Sequence, residues 1–221
     1  MHGQMSDRVV KVNAVPNLVS HNSEYLYFRT DHHWTALGAY YLSETLCREL
    51  GYEPAPLDSF TPWDHGVFEG SILYRSPWPN RIRLDTVTAY IPQGQITHMV
   101  YDNFENGFEK PLLDDMTQRE PNTKYLTFIC SDNPLSVITN ESLPDAPSCI
   151  LVKDSFGNAL APFLTQNYHQ VIVVDYRKFN RVKLPQLAEE YGATDLIFAP
   201  YLTATQSIGG NDMFRYQCGI R

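Results

Sequence analysis

Two short stretches of the chain contain the side chains that could act together as a catalytic site. Residues 30–35, Thr-Asp-His-His-Trp-Thr, contain a carboxylate, Asp31, followed by two imidazoles. Residues 153–158, Lys-Asp-Ser-Phe-Gly-Asn, contain a hydroxyl, Ser155. A serine hydroxyl is a poor nucleophile near neutral pH unless a base removes its proton, and that base needs a partner that fixes its tautomer. The two stretches therefore supply the groups of a serine-hydrolase triad, in the chain order Asp, His, Ser.

The adjacent histidines are two candidates for the base. Neighbouring residues of a helix project about 100° apart, so His32 and His33 cannot both face one site. Asp31 and His33 can meet in an irregular turn before the helix is established, with Trp34 packed at the helix start. A structural interpretation is also open, in which Asp31 caps the helix and both histidines are polar residues of its first turn.

Ser155 lies between a predicted strand and a predicted helix. The apolar run Cys149–Val152 precedes it, and a helical pattern over Asn158–Thr165 follows. At such a junction the backbone N–H of the serine can face a developing oxyanion, and the positive end of the helix favours negative charge. The GxSxG pattern of a nucleophile elbow is absent. Asp154 or Ser155 could instead be an ordinary N-cap, and Asp154 could cap while Ser155 reacts.

Short apolar runs alternate with helical patterns towards the C-terminus, which is typical of a parallel sheet covered on both faces. We therefore predict an α/β fold, a three-layer sandwich with a parallel central sheet. Functional side chains of such sheets follow the carboxyl ends of strands, where Ser155 and Asp175 lie. The predicted elements are strands over Cys149–Val152, Val171–Val174 and Leu196–Phe198, and helices over Asn158–Thr165 and Leu184–Tyr191.

The rest of the chain is predicted to support this domain. We interpret residues 1–23 as a polar leader that could be the remnant of a longer region, and residues 24–221 as one α/β domain. Helical spacing predicts a helix from Thr35 to Leu50, ended by Gly51. Its predicted cap is Thr30 or Asp31, and Tyr25–Phe28 is predicted as a short strand that leads into the Asp-His-His turn.

Prolines and glycines punctuate short β-like runs from about residue 58 to residue 145. This pattern predicts a β-rich insertion rather than a second domain. The predicted strands of this insertion are Ile82–Ile91, Ile96–Tyr101, Tyr125–Cys130 and Leu135–Thr139.

Composition limits the partners. A net charge of −8 without a basic stripe argues against nucleic acid, because phosphate binding needs clustered Lys and Arg. Aromatic residues make up 13% of the chain, and Trp63 and Trp78 could stack on sugar or simply anchor a Pro-rich loop. No apolar run has the length of a signal peptide or of a transmembrane helix.

The four cysteines include no CxxC pair, so zinc-type spacing is absent. Their surroundings favour buried free thiols, although a disulfide remains open. They are Cys47, Cys130, Cys149 and Cys218.

Residues 27–40, Tyr-Phe-Arg-Thr-Asp-His-His-Trp-Thr-Ala-Leu-Gly-Ala-Tyr, resemble the bacterial DHHW protein family, which is named after the tetrad at 31–34. That family resembles the alginate O-acetyltransferase group, whose SGNH-hydrolase-like domains carry an Asp-x-His motif first and the nucleophilic serine later. The resemblance implies that Asp31 and His33 form this pair and that Ser155 is the nucleophile. It therefore favours His33 over the neighbouring histidine.

The resemblance implies acyl transfer. In this interpretation the protein is an esterase or O-acetyltransferase of a cell-surface polysaccharide, forms an acyl-enzyme, needs no metal or other cofactor, and works outside the cytoplasm. An acylated small molecule is the other substrate class. The alternative function is a catalytically inactive carbohydrate-binding or scaffolding module of the same fold, because few residues precede the first motif compared with family members.

An oxyanion hole or substrate-binding group needs further donors. Arg177 follows the strand Val171–Val174 and is the first candidate, ahead of Asn158 and the backbone of Gly70 and Ser71. The structural alternatives are a surface arginine, a helix-start asparagine and a plain turn.

A metal site is the remaining alternative. The Asp-His-His triplet superficially resembles that of the DHH phosphoesterases, which bind divalent metals. Those proteins need further aspartates upstream, and only Asp7 precedes the motif here. His65, His98 and His169 lie in dissimilar contexts, so we do not expect a metal.

Overall fold

The fold is built around a six-stranded mixed sheet with the strand order β4-β3-β5-β7-β6-β8. The computed structural model describes residues 6–77, 81–102, 106–201 and 208–219. In this part of the chain the strands are β1 (Thr61–Phe68), β2 (Asp85–Ile91), β3 (Ile96–Tyr101), β4 (Gly107–Glu109), β5 (Leu135–Asn140), β6 (Ser148–Lys153), β7 (Gln170–Asp175) and β8 (Asp195–Ala199).

Five α-helices accompany these strands within the described residues, and short 3-10 turns connect them. None of the described helices is long and apolar enough to span a membrane. The helices are α1 (Val15–Ser20), α2 (Ala36–Glu49), α3 (Ala161–Leu164), α4 (Leu184–Glu190) and α5 (Ile208–Gln217).

The central sheet changes direction in its middle. Strand β6 pairs in parallel with β7 and β8, whereas β5 runs antiparallel to β7, and β3 runs antiparallel to both β5 and β4. The predicted parallel sheet is therefore confirmed only in part. The parallel strands are joined through α3 and α4, as crossover connections require, whereas antiparallel neighbours need no crossover helix.

Strands from the predicted insertion divide between two sheets. Strands β3 and β5 extend the central sheet, while β1 and β2 form a separate antiparallel pair. Because β5 is antiparallel to β7, the beginning of β5 lies beside the end of β7, with Leu135 opposite Val174. Segments from both halves of the chain therefore reach the edge of the sheet where Ser155 lies.

Alternate residues of β6 pack into two different cores. Cys149 and Leu151 belong to the larger core, which includes residues of α2 and α3. Ile150 and Val152 point to the opposite face, into a smaller core with Leu184 of α4. These four residues of β6 are fully buried. Helices thus cover both faces of the parallel strands, which explains their unbroken apolar sequence.

Helix α2 begins close to its predicted position, but its cap differs. The hydroxyl of Thr35 accepts the backbone N–H of Gly38 at 3.3 Å, so this residue is the N-cap. The predicted caps, Thr30 and Asp31, lie a full turn earlier, and their side chains are bonded elsewhere. The predicted strand Tyr25–Phe28 is also absent as a strand of the sheet.

The segment before α2 is instead a tight loop. The backbone N–H of Phe28 donates to the carbonyl of His33 at 3.2 Å, and that of Thr35 donates to Leu26 at 2.9 Å. Tyr27 pairs with Trp34, the residue before the Thr35 cap, in an isolated antiparallel bridge. Since these bonds satisfy the backbone locally, the loop needs no partner strand.

Two other predicted elements differ from the observed ones. The first half of the predicted strand Tyr125–Cys130 lies in a 3-10 turn over Pro121–Thr127, which begins with proline, and Phe128 makes an isolated antiparallel bridge to Leu113. The predicted helix Asn158–Thr165 is divided into a 3-10 turn, Ser155–Asn158, and the short helix α3. All four cysteines are free thiols.

Candidate active site

Ser155, His33 and Asp31 form a hydrogen-bonded chain. The Nε2 atom of His33 lies 2.7 Å from the Oγ atom of Ser155, and its Nδ1 atom lies 2.5 Å from Oδ1 of Asp31. Because an ionised carboxylate only accepts hydrogen bonds, Nδ1 carries the proton and Nε2 is left as the acceptor for the serine hydroxyl. His33 is thus in the tautomer that a general base requires.

The loop before α2 holds Asp31 as an anion. Its Oδ1 atom also accepts the backbone N–H of His33 at 3.1 Å, and its Oδ2 atom accepts the N–H of Ser71 at 2.8 Å. Burial alone would raise the pKa of this carboxyl. The hydrogen bonds from His33 and Ser71 outweigh burial and hold the pKa of Asp31 well below its usual range.

Gly70 and Ser71, the weaker candidates for an oxyanion hole, support the loop instead. The N–H of Gly70 donates to the Thr30 hydroxyl at 3.0 Å, and the N–H of Ser71 is bonded to the Asp31 carboxylate. A Cβ atom at Gly70 would lie 2.3 Å from the Cβ of Asp31 and 2.5 Å from the Thr30 carbonyl. Both backbone donors are thus committed, and the close approach requires glycine.

Asp85, at the start of β2, anchors the same loop through its carboxylate. Its buried carboxylate accepts the backbone N–H groups of Arg29 and Thr30, the Thr30 hydroxyl and the Tyr25 hydroxyl. Burial tends to raise the pKa of Asp85, but the Thr30 and Tyr25 hydroxyls and the backbone donors hold it below its usual value. In the sequence Asp85 is merely an acid at the beginning of an apolar run, and sequence reasoning missed it.

Ser155 opens the 3-10 turn that follows β6. Asp154 caps this turn, since its Oδ1 atom accepts the N–H of Phe156 at 3.0 Å, while its Oδ2 atom accepts the N–H of Tyr201 at 2.7 Å. The backbone N–H of Ser155 has no acceptor among the residues that the structure describes. This N–H is therefore available to an incoming oxygen atom.

Aromatic side chains surround the imidazole. The ring of Tyr125 lies parallel to that of His33, with centroids 4.1 Å apart, and its hydroxyl donates to the carbonyl of Ser155 at 2.9 Å. The indole N–H of Trp34 donates to the Phe156 carbonyl at 3.0 Å. We predicted Trp34 at the helix start, but nothing in the sequence pointed to Tyr125, which we had placed in a strand.

Arg177 and Asn158 lie at the same edge of the sheet, in a polar cluster beside the serine. Arg177 binds Asp175 through two nitrogens, at 2.9 and 2.6 Å, and binds Asp132 at 2.8 Å. The amide of Asn158 donates to Asp132 at 2.9 Å. The fully buried Lys153 lies 3.2 Å from Asp175 and 3.4 Å from Asp132, which completes the cluster.

The cluster favours the charged forms of Arg177 and Asp132. The hydrogen bond to Asp175 is the main reason that the pKa of Arg177 rises above its usual value. Burial would raise the pKa of Asp132, but the charge of Lys153 and the Asn158 hydrogen bond lower it. Strand register explains the arrangement, because Lys153 of β6 lies opposite Asp175 of β7. Asp132 is a residue that sequence reasoning missed, since it lies in an irregular loop.

His32 lies at the rim of the site. Its side chain is 48% exposed, its Nδ1 atom lies 3.1 Å from the Ser71 hydroxyl, and its ring is 3.9 Å from that of His33. Burial, together with the nearby His33, lowers the pKa of His32. The two histidines therefore have different environments, since only His33 is hydrogen-bonded to both the Asp31 carboxylate and the Ser155 hydroxyl.

The donor set can be tested as a metal site. Asp31, His32 and His33 each offer a ligand atom, and these atoms lie within 4.8 Å of one another. However, the closest pair of them, Asp31 Oδ1 and His33 Nδ1, already shares a proton at 2.5 Å. A metal ion would have to displace that proton, so the donors fit a proton-transfer site better than a metal centre.

The remaining candidates from the sequence lie away from this chain of hydrogen bonds. His65 is buried beside Thr127, and Trp63 packs against the larger core with its ring 4.5 Å from that of His65. Trp63 therefore anchors its strand. Trp78 lies outside the described residues.

A family model described as DHHW protein matches residues 1–174. A crystal structure of a DHHW family protein from Eubacterium siraeum DSM 15702 is 26% identical, with a TM-score of 0.83 over 93% of this chain and 68% of that one. No curated protein matches the chain in sequence.

Two structures of PatB1 from Bacillus cereus share the fold. The structure with a sulfonyl adduct has a TM-score of 0.77 at 16% identity and covers 98% of this chain and 74% of that one. The other has a TM-score of 0.76 at 18% identity and covers 97% of this chain and 75% of that one. At this identity the likeness establishes a mixed α/β fold similar to that of PatB1.

Proposed function

Since this chain belongs to the DHHW protein family, we propose that it is a serine-dependent esterase or O-acetyltransferase acting on a cell-surface polysaccharide outside the cytoplasm. In this proposal Ser155 is the nucleophile, His33 the general base and Asp31 its partner. The observation that carries the proposal is the continuous chain from Asp31 through His33 to Ser155, with links of 2.5 and 2.7 Å.

The reaction proceeds in two acyl-transfer steps. As the Ser155 oxygen attacks the carbonyl carbon of an ester, its proton moves to Nε2 of His33. The imidazolium then protonates the leaving alcohol oxygen, the ester bond breaks, and an acyl-serine remains. In the second step His33 takes a proton from a sugar hydroxyl or from water, whose oxygen attacks the acyl carbon. The bond from that carbon to the serine oxygen then breaks, and the imidazolium returns the proton to Ser155 Oγ, which restores the free site.

Asp31 supports both steps electrostatically. Its carboxylate is buried, ionised and bonded to Nδ1 of His33, so it stabilises the imidazolium that forms when Ser155 loses its proton. The hydrogen bond also holds the ring in the required orientation.

The oxyanion of the tetrahedral intermediate needs donors. We assign this role first to the unpaired backbone N–H of Ser155, which moves with the nucleophile. Arg177 and Asn158 are the side chains proposed to bind substrate at this edge of the sheet, because Arg177 follows the end of β7 and Asn158 ends the turn that Ser155 opens after the adjacent β6. Gly70 and Ser71 are no longer assigned to the oxyanion, since their N–H groups are occupied.

The sulfonyl adduct in PatB1 suggests a direct probe. Sulfonyl fluorides react with an activated serine hydroxyl, and we expect phenylmethanesulfonyl fluoride to add once to this protein, at Ser155. Intact mass and peptide mapping measure the adduct. Hydrolysis of p-nitrophenyl acetate measures turnover.

Two alanine variants make the test specific. S155A should lose both the adduct and the esterase activity, whereas S71A, a nearby exposed serine, should keep both. Folded protein that never reacts, or S155A that reacts like the wild type, would contradict the proposal. A protein that binds acetylated glycan without turnover would support the inactive carbohydrate-binding module.

A further inference from the structure

We infer that Tyr125 is a positioning residue that aligns the base and the nucleophile with each other. This inference rests on the proposed function. Tyr125 contacts both partners through different parts of one side chain, with its ring against His33 and its hydroxyl on the carbonyl of Ser155. It therefore joins the loop before α2 to the turn after β6.

The ring of Tyr125 fixes the plane of the imidazole. The two rings are 4.1 Å apart and 14° from parallel, with Phe156 at 4.8 Å also bordering the imidazole. The hydrogen bond to Asp31 holds Nδ1 of His33, and the stack on Tyr125 restrains rotation of the imidazole about its Cβ–Cγ bond. A face-on aromatic ring within about 6 Å also favours the imidazolium that forms during the reaction.

The hydroxyl of Tyr125 fixes the turn that carries the serine. It donates to the backbone carbonyl of Ser155 at 2.9 Å, so it restrains the main chain without occupying Oγ or the N–H of the serine. Burial raises the pKa of Tyr125 far above its usual value, and the negative charges of Asp31, Asp132 and Asp154 add to this effect. The phenol thus keeps the proton that it donates.

Tyr125 is itself held rigidly. Its side chain is only 7% exposed, and it makes edge-to-face contacts with Phe128 at 5.2 Å and Phe28 at 6.1 Å between ring centres. Phe28 belongs to the loop that presents Asp31 and His33. A residue fixed on several sides can transmit its position to the groups it contacts, which catalytic alignment requires.

Two substitutions separate the contributions of the ring and of the hydroxyl. Y125F keeps the stack and removes the bond to Ser155, and we expect it to react with a fluorophosphonate about tenfold more slowly. Y125L removes both contacts, and we expect about a hundredfold loss. Y40F is the matched control, because Tyr40 is a buried tyrosine in α2 whose hydroxyl also donates to a backbone carbonyl, that of Ala55 at 3.2 Å. It should react within about twofold of the wild-type rate.

A second readout does not depend on activity. The proton between His33 Nδ1 and Asp31 should give a downfield resonance in the proton NMR spectrum of the wild type. We expect Y125L to broaden or shift this resonance, and Y40F to leave it unchanged. If Tyr125 had only a structural role, Y125L would lower the melting temperature, as Y40F would, but would leave the downfield resonance unchanged.

The outcomes distinguish the two proposals. Wild-type reaction rates in folded Y125F and Y125L would overturn the role of Tyr125 and leave the proposed function intact. A wild-type protein that never reacts would overturn the proposed function, and the NMR comparison would then judge the alignment alone. If Y125L does not fold, Y125F decides, because a wild-type rate in that variant contradicts the inference.

Discussion

The Ser155 hydroxyl lies 2.7 Å from Nε2 of His33, although 122 positions of sequence separate the two residues. The serine is placed by the end of β6, a fully buried strand, and the histidine by a loop that precedes α2. Neither local structure determines the distance by itself. It depends on the packing of α2 and its loop against the sheet, and the substitutions below test the residues that maintain it.

The two adjacent histidines give a matched pair of variants. We expect H33Q to reduce kcat for ester hydrolysis by about 10⁴-fold or more, because it removes the proposed base. H32Q should remain within about tenfold of wild type, since His32 lies at the rim, where its Nδ1 atom is closer to the Ser71 hydroxyl, at 3.1 Å, than to the Asp31 carboxylate, at 3.6 Å. Steady-state kinetics with p-nitrophenyl acetate check both. Equal losses in the two variants would contradict the assignment.

Gly70 should be intolerant of any side chain. In G70A the new methyl group would meet the Cβ of Asp31 at 2.3 Å, so the loop must move and the carboxylate with it. We expect about a hundredfold loss of kcat with a folded protein. S71A keeps the backbone N–H that binds Asp31 and should retain activity. A fully active G70A would show that the loop accommodates the methyl group without displacing the acid.

Asp85 should stabilise the fold in a pH-dependent manner. Replacing its buried carboxylate in D85N removes charge-assisted hydrogen bonds and should lower the free energy of unfolding by about 2–3 kcal/mol at pH 7. Urea unfolding of the wild type and D85N measures this difference in the free energy of unfolding. The exposed carboxylate of Asp145 offers the control D145N, which changes the net charge equally and should have little effect.

The sign of the pH effect follows from the pKa of Asp85. This pKa is lower in the folded protein than the usual 3.8, so the unfolded chain binds the proton first as the pH falls. The contribution is therefore complete above pH 3.8 and is lost as the pH falls towards the folded-state value. The wild-type advantage over D85N should shrink below about pH 4. An advantage that grows in acid would contradict this account.

The loop before Asp132 stores backbone strain that glycine should relieve. Ile129, Cys130 and Ser131 all have positive φ, at 47°, 51° and 82°. Left-handed backbone costs a residue with a side chain about 1 kcal/mol relative to glycine, so S131G should raise the free energy of unfolding by about that amount. Ser23 is exposed without a positive φ, and S23G should have the opposite sign. Chemical denaturation of both variants measures the difference.

Much of the fold follows from local patterns. The apolar runs of β6, β7 and β8, and the periodicity of α2, are visible in the sequence because burial of a strand or a helix face imposes a spacing on its own residues. The antiparallel half of the central sheet was not predictable in this way. A short apolar, β-branched run marks a strand such as β5 but does not determine which neighbour it pairs with or in which direction.

The site divides along the same line. The sequence by itself determined the types and the order of the reactive groups, and the two-residue spacing that allows Asp31 and His33 to meet within one turn. Only the tertiary structure decided that Ser155 meets Nε2 of His33. It also decided that Asp85 and Gly70 hold the loop that presents Asp31, and that Tyr125 contacts both His33 and Ser155. These contacts join residues 30 to 122 positions apart, and no local periodicity encodes them. They arise from the order of the strands and the packing of loops at one edge of the sheet.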